Sequence, residues 1–247
     1  MIAKSAAIRY VGVHQIAPHA VIVDTRAQAL CQQRSVAGAH CLPASDLLGP
    51  AGELPSFADI FWALGTAGLD GSETVLVTGD RAGARDFIAG ILYLCGQAHI
   101  EILKPAIDKV LRTGKLQPGP GIPRAILRQR IYQATMRDTA MILPGELTQL
   151  RRDHPHIRFL DAGRLQATLL TTADIDNSAR HKTGFRSLHV IYGTSVRNAV
   201  AWFTRLLARH EITGKRIRVV PVAISDLHAK VDRTVHEAAA LAWAFGV

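Results

Sequence analysis

Apolar residues in this chain gather into short runs, and the runs alternate between two periods. "AVIVDTR" (20–26), "ETVLVTGD" (73–80) and "HIEIL" (99–103) are β-branched stretches with little polar interruption. Strands buried on both faces of a parallel sheet read this way. Between the second and third lies "RAGARDFIAGILYLCG", in which Phe87, Ile91, Leu92 and Cys95 recur at helical spacing and Gly96 supplies a stop. Strand, helix and strand in that order predict a parallel sheet with helices packed on it.

The stretch "TGKLQPGPGIPRAI" (113–126) then breaks both periods with Pro118, Pro120, Pro123 and Gly114, Gly119, Gly121. It predicts a connector over 114–134 between a first unit, 1–113, and a second, 135–247. The order recurs beyond it. "ILPGELTQLRRDHP" (142–155) predicts a helix, and "IRFLDAGR" (157–164) and "SLHVIYGTS" (187–195) predict strands. "VRNAVAWFTRLLARHE" predicts a helix with Val196, Val200, Phe203 and Leu207 on one face, and "KRIRVVPVAIS" (215–225) a strand. A closing amphipathic helix carries Leu227, Val231, Val235, Ala238 and Leu241. Each half has a strand ending in an aspartate, Asp24 or Asp161, and later a strand–loop–helix, so the chain contains an internal repeat. Asp24 and Asp80 are 56 positions apart, but Asp161 and Gly193 only 32, so the second copy is abbreviated. The expected fold class is α/β, two units, each a parallel sheet flanked by helices.

Composition narrows the function. Apolar residues make up 48% of the chain and charged ones 20%, which is enough for a real core and too apolar for disorder. No apolar run approaches the roughly 20 residues of a membrane helix, and Lys4 and Arg9 spoil a secretory leader. The expectation is a cytoplasmic protein with no membrane partner. Three cysteines without a Cys-x-x-Cys pair indicate neither a disulfide frame nor a zinc site, and no metal or cofactor is expected. Cys41 and Cys95 read as buried packing residues. Cys31, in "ALCQQR" with Arg26 and Arg34 nearby in sequence, reads as exposed and is the cysteine to test for a lowered pKa. A formal charge of +9 favours a small anion or an acidic protein partner. The basic residues are spread along the chain and aromatics are 6%, so nothing supports nucleic-acid binding.

"VIVDTR", "VAGAHCLPASDL" and "LPSFADIFWALGTAGLDGSETVLVTGD" resemble the first half of a tandem rhodanese-type sulfurtransferase. "FLDAGR", "VIYGTSVRNA" and "IYQATMRDTAMILPGEL" resemble its second half more faintly. The resemblance implies an anion-binding loop whose amides and following helix stabilise a thiolate and then a persulfide. The family's Cys-x-x-Gly-x-Arg loop falls on Asp80 to Arg85, placing Asp80 at the cysteine; the second loop falls on Tyr192 to Ala199, placing Gly193 there. The candidate anion-binding residues are therefore Gly193, Thr194, Ser195, Val196, Arg197 and Asn198, with Arg81 and Arg85 in the first loop. Asp80 and Ser195 are the candidate catalytic groups if chemistry persists. The favoured function is a catalytically silent relative binding a small anion (a sulfur oxyanion or a phosphate-like group) or a protein partner in sulfur metabolism. An enzyme of altered chemistry and a basic interaction module remain the alternatives.

Overall fold

A computed structural model describes residues 7–154, 156–168, 188–208 and 217–224. The expected closing helix with Leu227 to Leu241 lies outside the described residues. In chain order the elements are β1 Ile8–Val11, β2 Val21–Asp24, α1 Gln28–Gln33, β3 Ser35–Val36, β4 His40–Cys41, α2 Phe57–Thr66, β5 Thr74–Thr78, α3 Ala82–Leu94 and β6 His99–Leu103. They continue with α4 Ile107–Arg112, β7 Pro118–Gly119, α5 Leu147–Asp153, β8 Arg158–Asp161, α6 Ala162–Thr168, β9 His189–Tyr192, α7 Val196–Ala208 and β10 Ile217–Val219.

Two separate parallel sheets form. The first has the order β1-β6-β5-β2-β4 and the second β10-β9-β8. The central strands β5 and β9 are buried almost end to end, as their unbroken apolar runs require. Helix α3 is the hinge of the packing. From Ala84 onward it is entirely buried, between its own sheet and α7. Gly90 makes the close approach possible, because a Cβ there would overlap Thr204 Oγ1 and Val200 Cγ1 on α7. Asp86 of α3 accepts from Arg205 of α7, and Tyr93 of α3 lies against Phe203. Along this seam Asp86, Gly90 and Tyr93 of α3 meet Val200, Phe203, Thr204 and Arg205 of α7. One apolar core, containing Val77, Phe87, Ile191 and Phe203, therefore spans both sheets.

Two expectations change. The expected connector is no loose tether: Pro118 and Gly119 pair antiparallel with Val36 and Ser35. The strap continues along the cysteines, with Gly121 N–H donating to Cys31 O and Cys41 N–H donating to Ile122 O. Proline is compatible with such an edge, where its missing N–H costs nothing. The second change concerns sulfur. Cys31 is fully buried, not exposed, and forms a disulfide with Cys41. No spacing motif announces this bond. It arises because β4 pairs with β2 and so passes beneath the end of α1. The cytoplasmic expectation leaned on the apparent lack of a disulfide, and that support is gone. Among the described residues no helix is long and apolar enough to cross a membrane.

Candidate functional site

Both strand–loop–helix units place their loops at the carboxyl ends of parallel strands, where open α/β sheets hold their ligands. Register aligns the copies. Asp24 sits opposite Thr78 and Asp161 opposite Tyr192, and α3 and α7 each begin four residues later. Gly79-Asp80-Arg81 thus corresponds to Gly193-Thr194-Ser195. The residue matching Gly193 is Gly79, so the sequence alignment that matched it with Asp80 is one place out. In both copies the strand-end aspartate folds an Asx turn: Asp24 Oδ1 accepts from Arg26 N and Asp161 Oδ1 from Gly163 N, at 3.0 and 2.7 Å.

Around the first loop the chain satisfies its own charges. Asp24 is fully buried, yet it receives Arg26 Nε and Nη2 and, at 2.7 Å, the Ser35 hydroxyl. Arg26 also donates to Asp108 at 3.0 Å and to the Arg34 carbonyl, and its Nη1 lies 3.8 Å from Asp80. Burial works against the Arg26 charge, but Asp24, Asp80 and Asp108 together outweigh it and raise its pKa. Asp80 is 36% exposed and accepts from the Asp108 backbone N–H at 3.3 Å. Arg85 is buried, with Nη1 donating to the carbonyls of Gly79 and Pro105 and Nη2 to that of Lys104. Its guanidinium is a clip between loop and β6–α4 turn; burial lowers its pKa, partly offset by Asp86. Arg81 is exposed beside it.

The second loop is simpler. Gly193 is buried against Ala162, Thr194 and Asn198 are exposed, and Ser195 and Arg197 are half-buried. Ser195 Oγ accepts from Asn198 N at 3.4 Å, a long N-cap bond for α7. The Gly193 carbonyl accepts from Ile224 N at 2.9 Å, tying the loop to the segment after β10. The candidate residues lie on two loops, Asp80–Arg81–Arg85 after a strand of the first sheet and Gly193–Asn198 after a strand of the second.

None of the three sulfurs stands at either loop. Cys31 and Cys41 are joined, and Cys95 is buried after α3, where burial pushes its thiol pKa up. Sequence reasoning found Asp24, Arg26 and both loops, but missed Ser35 and Asp108, which fold back on Asp24 and Arg26 from 11 and 82 positions away. No local pattern could have revealed them.

Solved structures share this architecture. The Escherichia coli 3-mercaptopyruvate sulfotransferase SseA, described with the rhodanese fold, is similar at a TM-score of 0.65 and 15% identity, over 88% of this chain and 99% of that one. Tum1 from Saccharomyces cerevisiae gives 0.64 and 9%, over 91% and 96%. A structure named "Probable Thiosulfate Sulfurtransferase" gives 0.53 and 20%, over 89% and 97%. No protein-family model matches the sequence, and no curated protein does. At these identities the likeness defines the fold: the chain has the tandem rhodanese fold, parallel sheets flanked by helices.

Proposed function

We propose that this protein is a relative of the sulfurtransferases that does not pass sulfur through a cysteine persulfide. Its α7 loop, Gly193 to Asn198, binds a small anion, a sulfur oxyanion or a phosphate-like group, or a protein partner that presents one. The observation carrying this reading is the fate of the thiols: two are cross-linked and the third is buried away from both loops. A persulfide needs a thiolate that substrate can reach. The first turn of a helix points backbone N–H groups outward and carries the positive end of its dipole. At α7 the Thr194 and Ser195 hydroxyls and the Arg197 guanidinium can add donors. The first loop supports no second reading, since Asp80 already plays the anion for Asp108 N–H and Arg26. A place in sulfur metabolism is supported by the names of the similar structures.

Two measurements test the proposal. Sulfane-sulfur transfer from thiosulfate to cyanide should stay far below about 1 per second, the low end of ordinary enzyme turnover; turnover at or above that level refutes silence. Calorimetric titration with sulfate should show binding that Arg197→Ala weakens. Absence of binding to the native protein removes the anion from the reading.

A further inference from the structure

The disulfide does more than join two cysteines. Cys31 lies in α1 and Cys41 ends β4, and the segment between them carries two of the supports of the buried Asp24–Arg26 pair. Arg34 offers its carbonyl to Arg26 Nη2, and Ser35 donates its hydroxyl to Asp24. The strap 117–122 lies over the bond. Gln117 O accepts from Ala37 N, Cys31 O from Gly121 N, and Ile122 O from Cys41 N. A Cβ on Gly121 would overlap the sulfurs of both cysteines, so strap and disulfide are packed backbone against sulfur. Arg26 in turn reaches Asp80 and Asp108, which connect this corner to the first loop.

We propose that Cys31–Cys41 is a redox-set latch: when it is closed, the strap and residues 31–41 are held against Asp24 and Arg26, and when it is opened, that support and the first loop loosen together. Opening is thiol–disulfide exchange with a dithiol reductant. One reductant thiolate attacks a cystine sulfur, the S–S bond breaks and a mixed disulfide forms. The second reductant thiol then displaces it, leaving Cys31 and Cys41 as thiols and the reductant as a cyclic or intramolecular disulfide. Both cysteines are at most 1% exposed, so attack waits on local lifting of the strap. The latch therefore follows the redox poise in which the chain folds and resides, and its response to later change is slow. This inference does not depend on anion binding at α7.

The test uses full-length protein equilibrated in dithiothreitol buffers of increasing reducing strength. Alkylation and mass spectrometry report the bond, and hydrogen exchange reports the corner. In the oxidised protein the Cys31 and Cys41 peptides should be linked and two mass units lighter than the dithiol form. Reduction should raise amide exchange at least tenfold in residues 26–41, 79–81 and 117–122, with α7 amides unchanged. The Cys31→Ser/Cys41→Ser protein should match the reduced state; should it fail to fold, the reduced native protein supplies the same comparison. Free thiols at both positions in air-equilibrated folded protein overturn the proposal. So does unchanged exchange in the strap, and so does an equal rise in α7, which would make the bond a general stabiliser and not a latch.

Discussion

Replacing each loop glycine with cysteine separates the two copies sharply. At Gly193 the backbone φ is not in the left-handed region, and a Cβ would come 3.2 Å from the Ala162 Cβ and touch nothing closer. A methyl-to-methyl approach that tight is relieved by a shift of a few tenths of an ångström. Gly193→Cys should therefore cost no more than about 1 kcal/mol, the mild end of overpacking. Gly79 differs in both respects. Its φ is +147°, and a Cβ would land on Thr25 Oγ1, the hydroxyl that donates to Thr78 O at 2.9 Å. Strain of roughly 1–3 kcal/mol for a side chain in that region adds to about 1–3 for the clash, so Gly79→Cys should cost roughly 2–6 kcal/mol. Urea unfolding measures both. The thiol of Gly193→Cys should also titrate below the roughly 8.5 of a free cysteine, because it sits among the amides at the start of α7. Incubation with thiosulfate followed by mass spectrometry should show a persulfide on it. Equal stability of the two variants would refute the packing argument. An unshifted thiol that takes up no sulfur would refute the claim that the loop is still an anion cradle.

The contact between α3 and α7 yields further expectations. Arg205→Leu leaves Asp86 buried with, among the described residues, only the Tyr10 hydroxyl donating to it, at 2.8 Å, and should destabilise by about 3–5 kcal/mol in denaturant unfolding, as for one partner lost from a buried pair. Burial raises the Asp86 pKa, and Arg205, Tyr10 and Arg85 offset this only in part. A carboxyl raised on folding contributes stability that is complete below its unfolded pKa and declines as pH climbs through the folded value. Asp86→Asn should flatten that decline between the ordinary aspartate pKa and the raised one, and a profile unchanged by the substitution counts against the assignment. Gly90→Leu should cost at least about 1–3 kcal/mol through the clash with Val200 and Thr204, read as a lower thermal midpoint; an unshifted midpoint would mean the helices do not approach so closely.

The central strands were legible because strands buried on both faces have nothing polar to interrupt them, and β5, β6 and β9 all fall inside their expected runs. Helix α3 was legible from its periodicity and from Gly96, whose φ is +98°. The two-residue strands β3 and β7 were not, since no period can be read in so short a stretch. The disulfide was hidden for a different reason: it depends on β4 crossing to the edge of β2, a tertiary event. Arg85 looked like an anion ligand because it is a cation in a loop motif. Its true partners are three backbone carbonyls, and backbone acceptors carry no sequence mark.

The close packing of α3 and α7 also bears on how this molecule can be dissected. Cutting the chain at the connector would expose on each fragment the apolar helix face that the other covers, and a fragment in that condition precipitates more readily than it folds. The halves are better regarded as mutual chaperones than as modules. Expressed together from separate messages they should find one another; expressed singly, neither should survive in solution.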